Sequence, residues 1–323
     1  MSARPSHLTL TGITKESAFG VPAPASFFIP TTGAPTPKDV VKLVEDKGLR
    51  GAMAELYDEI PTVKSSTFDF SGDAYPDILG FMVTGVLGDL TTTGAAAPYS
   101  HAASLYNAND GQPPSYTLTD FYAVNTRQYP GSKFSDLEIK FNADGLITYS
   151  AKAVGLASIP TTAPTPSFTS VQPLAAWTGA VQIGGSPFHA LMDGSISIKR
   201  SVAIIPTVDG SQSPHALWSG PVTVSGKMTL VMEDESQLTN FLTTATTSLD
   251  FTFQAGTGAS LVSLKLHMSS VIYGQADISR GKEYVEIGVT FNAKANATDV
   301  GASGGYSPIK VTLQNSVVAG TYK

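Results

Sequence analysis

The chain has 323 residues, no cysteine, a formal net charge of −6 and only 14% charged residues. That length suits about two domains and a core that needs no covalent staple. Disulfides, cysteine zinc sites and thiol nucleophiles are excluded, and without a lysine or arginine run there is no basis for tight phosphate binding. Thr, Ser, Ala and Gly stand where charge is usual, a surface suited to burial in an assembly rather than to a free monomer. Residues 1–20 have neither the basic nor the apolar stretch of a secretion signal, and no apolar run is long enough for a membrane helix. The expectation is cytoplasmic synthesis without membrane insertion.

In chain order, Leu8 to Thr11 alternates like a strand start. Residues 1–37 then read as an extended N-terminal arm, because Pro22, Pro24, Pro30, Pro35 and Pro37 interrupt any regular element. Val40, Val41, Leu43 and Val44 have helical spacing, with Gly48 as a C-cap; residues 52–60 fit either more helix or one arm of a hairpin. Residues 62–70 alternate as a strand. Asp73 suits an N-cap, and Ile78, Leu79, Phe81, Met82, Val83, Val86 and Leu87 give a helix with a wide apolar face, which Gly88 ends. Residues 91–114 read as loop. Strands are expected from Tyr116 to Val124, over 134–141 and over 146–154, the last two joined by the turn signal Asp144-Gly145. A first β domain thus spans 38–158, a Pro/Thr-rich linker 159–173, and a second β domain 174–323.

The second domain reads as strand 195–205, a loop at 206–214, strand 222–232, then a helix opened by residues 233–235 with Leu238, Phe241 and Leu242 as its apolar face. Strands follow at 249–253, 261–273, 284–295 and 309–313. The order of strand, helix and strands repeats that of the first domain. Val63-Lys-Ser-Ser-Thr-Phe-Asp-Phe lines up with Val224-Ser-Gly-Lys-Met-Thr-Leu-Val, and Ile139-Lys-Phe-Asn-Ala resembles Val289-Thr-Phe-Asn-Ala. An ancient duplication explains this; shared β patterning explains it equally well.

No catalytic, cofactor-binding or metal-ligating residue is nominated, and no enzyme is expected. His7, His101, His189, His215 and His267 include no pair at ligand spacing. Asp69, Asp73 and Asp77 recur every fourth residue, but across a strand and a cap they do not converge. Gly184-Gly185-Ser186-Pro187 is a loop, not a phosphate cradle. Asp58-Glu59 and Asp234-Glu235 sit at element edges with no sign of the facing pair a glycosidase needs. Asn296-Ala-Thr298 matches a glycosylation acceptor without a secretory context. Phe68, Phe70, Tyr116, Phe121, Tyr122, Phe134, Phe251, Phe253 and Phe291 fall on strands, where a sheet core accounts for them.

Several stretches of the first 155 residues resemble the major tail proteins of siphophages: Glu16-Ser-Ala-Phe-Gly-Val-Pro, Glu55-Leu-Tyr-Asp-Glu-Ile, Tyr75-Pro-Asp-Ile-Leu-Gly-Phe-Met leading to Leu87-Gly88, Pro114-Ser-Tyr-Thr-Leu and Tyr129-Pro-Gly. The second half matches in pattern only. The resemblance implies an all-β fold with minor α, a tail-tube-type β-sandwich or partial barrel with a flanking helix, here twice in tandem. It implies a structural subunit that self-assembles into stacked rings forming a channel for genome delivery, located in the virion tail and assembled in the host cytoplasm. Its partners are further copies of itself (a trimeric pseudo-hexameric ring, or a hexamer if no duplication exists), the tail terminator, the baseplate or distal tail protein, the tape measure protein, and DNA in non-specific transit. The arm over 12–37 and the loop over 88–114 are expected to tie rings together, and residues 64–70 and 222–232 to line the lumen, with an ordinary outer sheet face as the equal alternative for those two strands. The alternative is a carbohydrate- or receptor-binding β-sandwich of a baseplate or adhesin.

Overall fold

The computed structural model describes residues 6–122 and 125–323. The first half contains β1 (Thr9–Lys15), β2 (Phe27–Ile29), β3 (Thr36–Asp46), β4 (Asp58–Asp73), α1 (Pro76–Leu87), β5 (Gly88–Thr93), β6 (Tyr99–Leu105), β7 (Tyr116–Tyr122), β8 (Asn125–Asn142), β9 (Thr148–Leu156) and β10 (Ile159–Thr161). The second contains β11 (Ala180–Ile183), β12 (Ser186–Phe188), β13 (Leu191–Ile205), β14 (Ala216–Val231), α2 (Ser236–Leu242), β15 (Thr247–Ala255), β16 (Val262–Ser279), β17 (Glu286–Ala293) and β18 (Lys310–Asn315). The protein is all-β with minor α.

All ladders are antiparallel. In the first half β3, β4, β9 and the later part of β8 form one sheet. The earlier part of β8 turns into a second sheet with β7, β1, β2 and β10. Each of these pairings has a counterpart in the second half. β13–β14–β17–β16 repeats β3–β4–β9–β8, and β12–β11–β15–β16–β18 repeats β2–β1–β7–β8–β10. The register shifts recur as well. β3 skips Lys42 between Val41 and Leu43, as β13 skips Ser201 between Arg200 and Val202. β8 skips Ser135, as β16 skips Gly274. Bulges bend a strand at a fixed point, and here they fix which residue of one half stands for which of the other.

Two joints connect the halves. Asp193–Lys199 of β13 pairs with Asn142–Asp136 of β8, so that β3–β4–β9–β8–β13–β14–β17–β16 is one continuous sheet. The hairpin β5–β6 crosses to pair with β18. One hydrophobic cluster runs through both halves beneath these sheets.

α1 lies in that core with all its residues buried. It starts at Pro76, which has no N–H to leave unpaired at the first helical position, and it ends at Gly88 with φ of 90°, whose N–H donates to the Thr84 carbonyl. A helix apolar on every side must be covered on every side. Its glycines allow this: a Cβ on Gly80 would stand 2.4 Å from the Tyr322 ring, and one on Gly85 2.3 Å from Phe134.

Several sequence expectations are corrected. Residues 1–37 are not a free arm within the described residues: β1 pairs along its length with β7, and Ile13 is fully buried. The apolar residues over 40–44 belong to strand β3, not a helix; the bulge after Val41 breaks the alternation and leaves a spacing that imitates a helical face. Asp73 ends β4 and does not cap α1, whose N-cap is Tyr75. The stretch 91–114 holds part of β5 and all of β6, whose small residues hide a pairing to β18 made far along the chain. Residues 159–161 pair with β8 and belong to the first half's sheet rather than to a linker. The two sequence matches between halves also shift. By ladder position Phe70 corresponds to Met228, three residues from the sequence alignment. Ile139 corresponds to Ile278, whereas Val289 lies on a different strand, β17. Asp144-Gly145 turns as expected, with the Gly145 N–H donating to the Asn142 carbonyl at 2.9 Å. Val124 lies outside the described residues.

Candidate functional site

The continuous sheet has two unlike faces, as its strict alternation requires. One carries Phe68, Phe70, Leu137, Ile139, Ile196, Met228 and Phe291 into the core. The other presents Thr67, Asp69 and Ser71 from β4, Ser225, Lys227 and Thr229 from β14, and Glu138, Lys140 and Lys152 from between. Charges of opposite sign stand across strands: Asp69 faces Lys152, and Asp136 faces both Lys152 and Lys199. Lys140 Nζ is 3.0 Å from Glu138 Oε2, both side chains in solvent. Such exposed pairs contribute little stability. Their effect is a polar surface with no cluster of cations to hold a polyanion.

The joint inside this sheet is tied at depth. Arg200 follows the paired segment of β13 and is buried. Its guanidinium donates to the carbonyls of Val86 (3.0 Å), Gly111 (2.6 Å) and Gly220 (2.7 Å). Val86 lies in the last turn of α1, where unpaired carbonyls and the helix dipole favour a cation. Burial lowers the Arg200 pKa to about 10, so it stays charged at neutral pH. Beside it Lys133, lowered by burial to about 8, donates to Gln112 Oε1 at 2.9 Å. The same oxygen accepts the Ser219 N–H at 2.9 Å. At the tip of the β13–β14 hairpin, Lys64 N–H donates to the Gln212 carbonyl and Gln212 Nε2 to the Pro61 carbonyl, both at 2.9 Å.

The two ends of the sheet have no such cover. β3 is exposed along almost its whole length, with Val40, Val41, Leu43 and Val44 each 38–48% exposed. At the other end β16 from Gln275 to Ser279 pairs only with β17, and Ile278 is 37% exposed where its counterpart Ile139 is fully buried.

Three of the five stretches that suggested a family meet around one residue. Glu16 is buried at the end of β1. Its Oε1 accepts the Gly131 N–H at 2.7 Å and the Thr117 hydroxyl at 2.8 Å; its Oε2 accepts the Ser115 hydroxyl at 2.6 Å and the Gly20 N–H at 3.0 Å. Glu16-Ser-Ala-Phe-Gly, Ser115-Tyr-Thr and Tyr129-Pro-Gly are thus one knot that fastens β1 to β7 and β8. Sequence signalled the three stretches and not their contact.

The histidines and acids hold structure. His101 is buried, bonded to Thr92 Oγ1 (2.9 Å) and Asn315 Oδ1 (3.1 Å), and desolvation lowers its pKa. His267 stands between Asp250 (2.7 Å) and Ser269 (2.9 Å), a serine–histidine–aspartate order that sequence spacing did not suggest. The Ser269 hydroxyl, however, donates to Asp299 Oδ1 at 2.6 Å, so its hydrogen is not directed at His267. The group clips β15, β16 and the turn before β18 together. Among the described residues no three His, Asp or Glu side chains are placed to hold a metal. Asp69, Asp73 and Asp77 do not converge: Asp69 lies on the polar face and Asp77 is buried in the first turn of α1. Of the aromatics named from sequence, Tyr122 is 41% exposed and Phe121 half-buried, while the others are core, so they form no stacking platform. Among the described residues no helix is long and apolar enough to cross a membrane.

The sheet thus has a polar face, a core face and two edges that no other described strand of the chain pairs with. The profile of the phage tail tube protein family matches residues 7–295, and the chain belongs to that family. No curated protein matches the chain. The family is a structural one of the virion tail, and it places this chain there.

Proposed function

We propose that the chain is the repeating subunit of a tail tube, forming rings by joining the eight-stranded sheet of one copy to the next and stacking those rings around a channel for the genome. The observation that carries this is the sheet itself: one polar face of mixed charge without a cation cluster, ending in two uncovered edges. Uncovered edges are a hazard in a monomer and a joint in an assembly. A head-to-tail contact repeated about an axis closes a ring.

The halves, with the same ladders and the same bulges, are two tail-tube-like domains that arose by duplication, with the boundary after β10. A trimer is then pseudo-sixfold. Three sheets end to end make a barrel of about 24 strands, roughly 37 Å across between strand axes before tilt widens it. Side chains on both walls leave about 25 Å clear. Two copies make a barrel of about 16 strands, the size of a porin, too narrow for a duplex with its hydration. The polar face, including residues 64–70 and 222–232, lines that lumen, where lysines interleaved with carboxylates leave phosphates no continuous cation track and DNA passes without adhering. Subunits assemble in the host cytoplasm, and tube ends meet the terminator, distal tail and tape measure components. Electron microscopy of the purified protein tests the reading: hollow tubes with threefold end-on views are expected, and particles that stay monomeric across concentration and salt overturn it.

A further inference from the structure

The internal joint supplies a template for the external one. In β13, Ser195, Ser197 and Lys199 lie opposite Lys140, Glu138 and Asp136 of β8. The shared bulges identify the counterparts of these residues. Measured from the skipped Lys42 and Ser201, the β13 trio corresponds to Thr36, Lys38 and Val40 of β3. Measured from the skipped Ser135 and Gly274, the β8 trio corresponds to Ser279, Asp277 and Gln275 of β16. Both counterpart edges are exposed and neither has a strand beyond it among the described residues.

We infer that β3 of one copy pairs antiparallel with β16 of a second copy of this chain, with Thr36 opposite Ser279, Lys38 opposite Asp277 and Val40 opposite Gln275. This rests on the ring reading and names its contact. The register places a cation directly opposite a carboxylate, a favourable cross-strand pair. Among the described residues, Lys38 makes no ion pair within its own chain. It also covers Ile278, as β13 covers Ile139. One residue further, Val41 stands for Arg200, which reaches the last turn of α1. Across the joint Val41 takes the place of Arg200 on the side of α2, where Leu242 is 70% exposed, and a valine is too short to make the charged tie that Arg200 makes inside the chain. Pro37, at the position of Ile196, has no N–H to offer. The external joint is therefore weaker than the internal one, and lone subunits are less prone to pair at random.

The chain's lack of cysteine makes the register readable. Residues opposite one another in an antiparallel pair have Cα atoms roughly 4.5–5.5 Å apart, within disulfide reach. Lys38→Cys with Asp277→Cys, assembled and then oxidised, is expected to give a ladder of chain multiples on a non-reducing gel. Lys38→Cys with Ile278→Cys, whose side chains leave opposite faces, is expected to stay monomeric. Tubes from the first variant with no ladder, or equal ladders from both, overturn the joint while leaving the ring reading intact. A wild-type subunit that is folded and never assembles overturns both. If the cysteine variants do not assemble, charge exchange decides. Lys38→Asp and Asp277→Lys are each expected to raise the concentration needed for assembly about tenfold or more, and the double exchange to restore it; failure of the double exchange to recover assembly contradicts the register.

Discussion

The two helices occupy equivalent places in the two halves and live in different surroundings. Every residue of α1 is buried, and none of α2 is. The cover over α1 comes from elsewhere in the chain: the hairpin β5–β6, Arg200 from the second half, and a C-terminal tail whose Tyr322 packs on Phe81 with ring centres 4.9 Å apart. In the second half only four residues separate α2 from β15, with no hairpin inserted, and α2 is tied by the Tyr273 hydroxyl donating to the Gln237 side chain at 2.8 Å, with no charged group among the described residues bonded to its last turn. The difference teaches that the first half is completed by the second, whereas the second keeps an exposed helix and strand edge, the place where the proposed joint seats another copy.

The largest expected effect breaks the cover of α1. Tyr322 is 1% exposed, donates its hydroxyl to the Asp77 carbonyl at 2.6 Å, and through its own carbonyl accepts the Tyr116 hydroxyl at 2.8 Å. Tyr322→Ala should cost about 3–5 kcal/mol in denaturant titration, as for other large buried aromatics. Phe241→Ala in half-buried α2 should cost about 1 kcal/mol in the free subunit; equal losses would remove the contrast. Next comes the knot on the first half alone. Glu16→Gln replaces an acceptor of four hydrogen bonds with a group that must donate at one side, and should cost about 2–3 kcal/mol.

A smaller effect has the opposite sign. Asp120 on β7 is 5% exposed, its Oδ1 has no hydrogen-bond partner among the described residues, and burial pushes its pKa up to about 6. Between pH of about 4 and 6 the folded chain keeps a proton that the unfolded chain has lost, so stability falls as pH rises through that window. Asp120→Asn should remove this slope and stabilise the subunit at pH 7 by about 1 kcal/mol, discounted for partial solvent screening, with no gain at pH 4. Chemical denaturation at the two pH values checks it. The smallest effect on the free subunit sharpens the comparison most: Leu242→Ser should leave its stability within about 0.5 kcal/mol and yet slow tube assembly measured by light scattering.

The long strands, α1 and its closing glycine were legible because alternation and helical spacing there are clean. β3 was not, because the skipped Lys42 shifts its apolar residues into helical spacing. β5, β6, β11 and β12 were not, because strands this short gain their identity from partners distant in sequence. The polar face followed from alternation in β4 and β14. Its edges did not, since an edge is defined by what fails to pair. The correct register between the halves was also hidden, because it is carried by bulges rather than by residue identity. Likewise, the family-like stretches were visible singly, whereas the carboxylate of Glu16 that unites three of them needed the fold.

The most direct test of the central claim is a helical reconstruction of assembled tubes at a resolution that separates strands. The account predicts one unbroken sheet around the lumen, eight strands from each chain, with β3 of every copy against β16 of the next and the Lys227 and Asp69 face turned inward. A tube in which those two edges face solvent, or in which the lumen is lined by the other sheets, would contradict it.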